Sequence, residues 1–437
     1  MRLLRITIGG YRNITRTTID LEGITALVSP NNYGKTNLLN AIEFASEFIN
    51  ESPRTRSLMM SSSALVPLVS AIEDENFYFE MILENTDINE AYRFTKYSFE
   101  FSWIKDNETG QRIVNETLDI GHKLGARWTT YLKRDEGKYR KSYDTRSFRK
   151  ITLDDNQLAI DVLTAMEDID INPVIRSIKQ MGFIVLSSLD ARNRFNAVPI
   201  DFYPALKNSM NDEDLPRALY SLKESHPKKF QDFLSAVHTL FPQFNAVGLQ
   251  TYEIKPEEKN ALTEALIDNQ EEDEGDDVPF RIKDEIYRLL IKSDYLNQPL
   301  DISRMSAGTQ RLFWLIASTI FASLENVTCV GVEEVETSIH PKMMKMLLEI
   351  LNDNRGDASL LLTSHSPYLI QYLKPQHIYI GVPNNEGLAM FKRIKKNGIK
   401  KINEAAYERG MSFGEYLFEL MSSGEDGERV LLRWLEE

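Results

Sequence analysis

The sequence predicts a mixed α/β fold built around a phosphate-binding loop, and three observations carry that prediction. A short apolar strand, Ile24-Thr25-Ala26-Leu27-Val28, runs into Ser29-Pro30-Asn31-Asn32-Tyr33-Gly34-Lys35-Thr36, after which a helix is expected from Thr36 to about Ile49. Far along the chain a second apolar strand, Thr328-Cys329-Val330-Gly331-Val332, ends in the adjacent carboxylates Glu333 and Glu334. Between 280 and 385, strands and helices alternate at α/β spacing.

Taken in order, residues 3–8 and 24–28 read as short strands separated by a turn-rich GGYRN and a polar stretch. Residues 50–75 are rich in Ser and Met and are expected to be irregular. Residues 76–104 alternate apolar and polar with many aromatics, the pattern of an antiparallel hairpin or meander. A helical region follows, with Leu158, Val162, Ala165 and Ile169 on one face. Phe230, Phe233, Leu234, Val237, Leu240 and Phe241 form a second, stronger stripe. Neither stretch sustains heptads, so no long coiled coil is expected. The acidic run Glu271–Asp277 reads as a solvated linker. Four segments result: an N-terminal lobe at 1–110, an insertion at 111–279 (a basic hairpin, then a helical region and the acidic linker), a C-terminal lobe at 280–385, and a tail at 386–437 holding a basic hairpin and short helices.

Composition narrows the class. At 437 residues the chain is long enough for two or three domains, and 42% apolar with 27% charged residues is near the globular average. The single cysteine, Cys329, excludes an intramolecular disulfide and any multi-Cys metal site, which fits a reducing compartment. The N-terminus lacks the apolar core of a secretory signal, and the longest apolar run, Leu312 to Leu324, is too short to span a bilayer. A soluble, cytoplasmic protein with no membrane contact is the expectation. A net charge of −14 excludes a surface that is positive everywhere, but two local basic stripes exist. From Lys133 to Lys150 eight basic residues face three acids, with Tyr139, Tyr143 and Phe148 interleaved, and six of the ten residues from Lys392 to Lys401 are basic. Such a stripe serves to bind nucleic acid, to dock an acidic protein, or merely to discourage pairing at a sheet edge, and the sequence leaves all three open.

The chemistry begins at Ser29–Thr36. This is the pattern G-x-x-x-x-G-K-[ST] with Ser in place of the first glycine. Strand, inward-turned loop and helix start are what phosphate binding requires, because loop amides and the helix N-terminus stabilise phosphate oxygens. Lys35 is expected to reach the β- and γ-phosphates, and the Thr36 hydroxyl to bind Mg²⁺. Pro30, Asn31, Asn32, Tyr33, Gly34 and Asn37 complete the expected nucleotide contacts. At the acidic strand end, phosphate-loop enzymes use the first carboxylate in the Mg²⁺ shell and the second to polarise the attacking water. That assigns the metal to Thr36 and Glu333, where Asp is more usual, and the water to Glu334.

Order and spacing sharpen the reading. The acid pair continues as Val335-Glu336-Thr337-Ser338-Ile339-His340-Pro341, and a following strand leads to Thr363-Ser364-His365-Ser366-Pro367. Before the acidic strand, Met305-Ser306-Ala307-Gly308-Thr309-Gln310-Arg311 opens a long apolar helix. With these four elements in this order, the chain resembles the ABC-type ATPases of the Rad50/SMC/OLD branch (AAA_15/AAA_21-like), over roughly 1–50 and 280–370. The resemblance implies an ABC ATPase head: a mixed β-sheet core with the phosphate loop, an antiparallel β subdomain and, here, a helical insertion. It implies that Ser306, Ala307 and Gly308 form a signature loop that approaches the γ-phosphate held by another subunit. It further implies Glu334 as general base, His365 as a switch histidine on the γ-phosphate, and Arg12 as a contact to a phosphate or to the base. Val335 stands where the family often has proline.

A site shared between two copies makes the expected assembly a homodimer, or a higher homo-oligomer, closed around ATP. None of the six histidines forms an HxxxH, HExxH or HNH-like cluster, and no D-x-D pair follows His365, so a built-in nuclease is disfavoured. A stand-alone head of this layout resembles the ATPase subunits of two-gene anti-phage systems such as PARIS and Septu. The expected partners are then a separate effector (a Toprim-like or HNH nuclease) and a phage protein as trigger. The alternative is a DNA-repair or recombination ATPase that clamps DNA in the manner of a short Rad50 or RecF head.

Overall fold

The computed structural model describes residues 1–104, 112–125, 127–142, 147–166, 169–187, 195, 200–202, 214–267, 280–325, 327–382 and 386–436. The acidic run at 271–277 and Tyr143 lie outside them. The chain divides into two compact units: Met1–Leu186 with Asn326–Glu336 and Asp357–Glu437, and Ser187–Glu325 with Thr337–Gly356.

The first unit contains two sheets. Strand β1 (Arg2–Gly9) pairs antiparallel with β2 (Thr17–Asp20), while β3 (Ile24–Val28) leaves for the second sheet and feeds helix α1 (Lys35–Asn50). Helix α2 (Pro53–Met60) follows in the segment expected to be irregular. Ser52 caps it and Pro53 opens it, and its Arg56 explains why it forms. That side chain is fully buried and donates to the Phe48 and Ile49 carbonyls at the end of α1, which have no partner inside their own helix. Strands β4 (Phe77–Glu84) and β5 (Phe94–Phe101) form the expected hairpin, Phe77 opposite Phe101 and Glu84 opposite Phe94. Phe77, Phe79, Phe99 and Phe101 point inward with Phe44 and Phe48 of α1, and the Phe48–Phe101 and Phe77–Phe101 centroids are each 4.9 Å apart.

Strands β6 (Ile113–Gly121), β7 (Thr129–Lys133), β8 (Lys138–Tyr139) and β9 (Arg149–Lys150) continue this sheet, in the order β2-β1-β4-β5-β6-β7-β8-β9. The boundary read at 110/111 therefore falls inside one sheet, because β5 and β6 share a ladder from Phe94–Gly121 to Phe101–Ile113. Helix α3 (Ala159–Thr164) is shorter than its sequence stripe: Leu158, Ala159, Ile160 and Leu163 are buried, whereas Val162 and Ala165 are not. Its start is fixed by the buried Glu116 carboxylate, which accepts the Ala159 and Ile160 amides. After α4 (Asn172–Lys179), β10 (Phe183–Leu186) enters the second sheet.

The second unit begins with β11 (Ile200–Phe202), α5 (Leu215–Ser225) and α6 (Pro227–Leu240). The stripe on α6 is buried as its spacing predicts, apart from the half-exposed Leu234, and Phe233 meets Phe313 at 5.8 Å. The region is not purely helical. Strand β12 (Phe244–Glu253) follows, then α7 (Pro256–Ile267), β13 (Phe280–Ile282), β14 (Glu285–Ser293) and β15 (Leu300–Asp301). β12 pairs with β14 along its length, and exposure on both faces removes the alternation that would have betrayed it. The unit ends with α8 (Ala307–Leu324), buried nearly all round, and with α9 (Pro341–Asn354).

Back in the first unit lie β16 (Cys329–Val332), β17 (Ser359–Ser364), α10 (Pro367–Ile370), β18 (Ile378–Gly381), β19 (Phe391–Arg393), and helices α11 (Lys396–Glu408), α12 (Phe413–Ser422) and α13 (Gly424–Trp434). The second sheet runs β10-β16-β17-β3-β18-β19, parallel except for β19. Every residue of β3, β16, β17 and β18 is buried, as befits a sheet covered on both faces. This places the C-terminal ends of β3, β16 and β17 side by side, and each is followed by a motif.

Candidate functional site: a phosphate loop beside an acidic strand end

The loop after β3 is shaped by backbone that few side chains accept. Asn32 has φ 60° and Gly34 φ 110°. A Cβ on Gly34 would sit 2.7 Å from Ala389 Cβ and 3.0 Å from Asn13 Oδ1, so glycine is required there. Ser29, in contrast, is not among the residues with positive φ, which is why this first position does without the usual glycine. Lys35 opens α1 and is 7% exposed, and its Nζ donates to the Ser29 and Pro30 carbonyls at 2.9 Å each. Burial lowers its pKa, and the charges of Glu334 and Glu336 oppose that shift. Tyr33 is buried beneath the β18–β19 hairpin, where its hydroxyl donates to the Val382 carbonyl and accepts the Met390 amide at 3.4 Å. Burial pushes this phenol up to about 12, so it remains a donor.

Arg12 stands at φ 50° and reaches the loop through Asn37, whose Oδ1 accepts its Nη1 at 2.9 Å. Asn37 Nδ2 in turn donates to Asn13 Oδ1 at 2.8 Å. Asn13, absent from the sequence-based set, thereby ties the first turn of α1 to the segment after β1.

Parallel pairing of Val332 with Leu362 brings Glu333-Glu334 alongside Thr363-Ser364-His365. Glu334 takes φ 43°, and its amide donates to Thr363 Oγ1 at 3.0 Å. A cleft of about 510 Å³ is lined by Asn31, Asn32, Tyr33, Gly34, Lys35, Thr36, Asn37 and Glu334. Glu333 is not in that lining, and its amide donates to the Leu186 carbonyl at 3.0 Å. His365 Nδ1 lies 4.0 Å from Glu334 Oε1 and 3.4 Å from Glu336 Oε1. Among the described residues, four non-glycine residues have positive φ: Arg12, Asn32, Glu334 and Ser338. All four fall in the motif segments, as strain stored at functional sites would. Glu336 and Thr363 were not singled out from the sequence. The signal available was register: two parallel strands ending together put whatever follows them in contact.

The signature segment belongs to the second unit. Ser306 caps α8, its Oγ accepting the Thr309 amide at 3.2 Å. A Cβ on Gly308 would lie 2.1 Å from the Ser338 carbonyl oxygen, so no larger residue fits without movement. Ala307 and Gly308 place no bulky side chain in the first turn of this long helix.

Among the described residues, no group of three or more His, Cys, Asp or Glu is placed to hold a metal ion, and no helix is long and apolar enough to cross a membrane. Thr36 lines the cleft and Glu333 adjoins the lining residue Glu334 in sequence, oxygen-bearing side chains that suit Mg²⁺ when phosphate oxygens and water supply the remainder. In the basic stripe much of the charge is spent locally. Lys133 and Lys138 both pair with Glu136, at 2.9 and 2.7 Å, and Arg134 is buried and bonded to the Ile113, Gln157 and Asp154 carbonyls.

Comparison with known proteins bears on the family and the fold. Residues 24–371 match the AAA_21 family, described as "AAA domain, putative AbiEii toxin, Type IV TA system". No curated protein matches the chain. Among solved structures, an SMC head bound to the C-winged helix domain of ScpA aligns with a TM-score of 0.51 at 11% identity, covering 92% of this chain and all of that one. An SMC head with an extended coiled coil from Pyrococcus furiosus, bound to the C-terminal domain of ScpA, aligns at 0.49 and 11%, covering 93% and 99%. A RecF recombination mediator aligns at 0.41 and 12%, covering 89% and 97%. The first of these likenesses shows the fold, a mixed α/β head of the SMC kind. With a family match that spans well over half of its length, the chain belongs to the AAA_21 family.

Proposed function

We propose that the protein binds and hydrolyses ATP between two copies of itself and uses that cycle to control a separate effector. The observation that carries this reading is the single cleft lined by Lys35, Thr36 and Glu334, with His365 Nδ1 4.0 Å from Glu334. Loop amides around Gly34 and the Lys35 ammonium hold the β- and γ-phosphates. Lys35 then exchanges its contacts to the Ser29 and Pro30 carbonyls for phosphate oxygens. Glu334 orients and deprotonates the attacking water, and His365 contacts the γ-phosphate. Thr36 and Glu333 would hold Mg²⁺, directly or through water, which supplies charge neutralisation on the phosphates when bound. Ser306, Ala307 and Gly308 of a second copy close the site through the N-terminus of α8. Loss of the γ-phosphate removes what that helix end grips, so hydrolysis loosens the pair. An effector of the Toprim-like or HNH type and a phage-derived trigger fit this switch within an anti-phage system.

Phosphate release measured on purified protein tests the first part. Slow turnover is expected, with none in Lys35→Ala or Ser306→Arg. Mixing those two inactive variants should restore part of the activity, because each mixed dimer then contains one intact composite site. No recovery on mixing would remove the shared-site reading. The DNA-clamp alternative predicts turnover stimulated by duplex DNA and lost with salt. Local pairing of Lys133, Arg134 and Lys138 weighs against the basic hairpin as its DNA groove.

A further inference from the structure

Glu336 has no role in the reading above, yet it is the carboxylate most closely joined to His365. It lies two residues past Glu334, in a turn flanked by positive φ at Glu334 (43°) and Ser338 (64°). That turn sends its side chain back toward the end of β17, where the carboxylate is only 13% exposed. One oxygen, Oε1, accepts the Ser364 hydroxyl at 2.9 Å and the His365 amide at 2.9 Å, and stands 3.4 Å from His365 Nδ1. The same Ser364 hydroxyl accepts the Ser366 amide at 2.9 Å, so the loop is fixed on both sides of the histidine. Glu336 Oε2 and His365 Nδ1 are buried atoms without a hydrogen-bond partner among the described residues.

A buried carboxylate is costly unless donors surround it. Among the described residues, the donors that Glu336 engages come from Ser364 and His365, and Ser366 in turn donates to Ser364. A surface-filling role would be met by any residue of similar size. This one fixes a main-chain amide and faces a ring nitrogen together. We propose that Glu336 is the positioning residue for His365, holding the loop by its amide and the imidazole by Nδ1, so that Nε2 is the nitrogen offered to a phosphate oxygen. A carboxylate facing Nδ1 favours a proton on that nitrogen, and the ring can then rotate only by giving up the contact. Orienting partners of this kind are usual for imidazoles that must meet a ligand in one direction. Glu334 Oε1 lies 4.0 Å from the same nitrogen, farther than Glu336 Oε1, so both carboxylates face Nδ1 and Glu336 is the nearer.

The inference rests on the proposed role of His365 only for its effect on turnover, so two readouts are needed on the full chain. In ATP turnover, Glu336→Gln should lower kcat about tenfold to a hundredfold with KM nearly unchanged, the range found when the partner of a ligating imidazole is removed. Made in a His365→Ala background, the same change should cost nothing more. If the two losses multiply, Glu336 acts elsewhere and the proposal is overturned. The second readout is the pair of ¹⁵N imidazole resonances of His365, assigned with His365→Gln. They should move in Glu336→Gln while the other histidines stay in place, and unmoved resonances overturn the proposal. Should His365→Ala turn out fully active, the catalytic assignment of that histidine falls, and the resonances alone decide whether Glu336 orients it. Melting temperatures of each variant identify any loss due to unfolding, and Glu336→Asp should recover part of the resonance shift if the carboxylate is what matters.

Discussion

Glu116 and Glu336 are both carboxylates withdrawn from water in the first unit, and both accept backbone amides. Around Glu116 each oxygen is served: Oε2 by the Ala159 amide at 2.6 Å, Oε1 by the Ile160 amide at 3.2 Å and the Tyr97 hydroxyl at 3.0 Å, with Arg134 at 3.9 Å. Around Glu336, among the described residues, only Oε1 is served, and its donors are the Ser364 hydroxyl and the amide of His365. Glu116 is fully buried and Glu336 is 13% exposed, and the two sit in opposite situations. One closes a polar network upon itself and holds β6 against the start of α3. The other holds a loop whose histidine lies 4.0 Å from Glu334, a residue of the cleft lining. Complete satisfaction marks a group that serves the fold, and incomplete satisfaction beside strained backbone marks one that serves chemistry.

If that division is right, substitutions should separate into two classes with little overlap. Glu334→Gln keeps shape and removes the proposed base. It should lower kcat roughly a thousandfold, about 4 kcal/mol in barrier height, with ATP still bound and the melting temperature unchanged. Phosphate release and a nucleotide-binding titration on the same sample check this, and full turnover would sink the base assignment. Glu116→Ala should do the reverse. It leaves Arg134 and two helix-start amides without their buried partner, at a cost of about 3 kcal/mol in denaturant unfolding, while kcat per folded molecule stays put. A variant that lost activity without losing stability would erase the distinction.

The pH dependence sharpens the contrast. Burial pushes the Glu116 carboxyl up to about 7, against the opposing pull of its amide bonds and Arg134. A raised acid binds more protons folded than unfolded, so its contribution to stability is greatest below the unfolded value and declines as pH rises through about 7. The unfolding free energy should therefore fall between pH 5 and pH 7, by at most about 1.4 kcal/mol per unit. Glu116→Gln should flatten that slope. A slope of the opposite sign in the wild type, retained in Glu116→Gln, would place the controlling groups elsewhere.

The lining of the candidate cleft was easier to read from the sequence than the frame that holds it. Gly34, Lys35 and Thr36 were readable because strand, loop and helix start are contiguous: the residues that shape the backbone adjoin those that line the cleft. Arg56 was not readable, since its carbonyl acceptors end one helix and its partner Asp161 lies 105 residues on, so a buried ion looked like surface charge in an irregular stretch. Strand β12 was hidden by exposure on both faces, and the extent of the antiparallel sheet by reading the basic segment as a separate body. Local chemistry writes itself into short patterns. Long-range pairing does so only when one face is buried and the other wet.

The smallest effect expected here concerns Tyr33, where the two roles meet in one residue. Its ring lies over Gly381, where a Cβ would come within 2.6 Å, and packs edge-on to Phe391 at 5.7 Å, while its hydroxyl bonds the Val382 carbonyl. Its backbone belongs to the phosphate loop. Tyr33→Phe keeps the ring and removes the hydroxyl, leaving the buried Val382 carbonyl without that donor, a loss of about 1 kcal/mol in stability. Because the loop is tied to the hairpin through this bond, ATP affinity should weaken a few-fold with kcat unaltered, a split that initial-rate kinetics resolves. Were kcat to fall while KM held, Tyr33 would be acting on the chemical step, and its contact with the hairpin would not be what shapes the loop for binding.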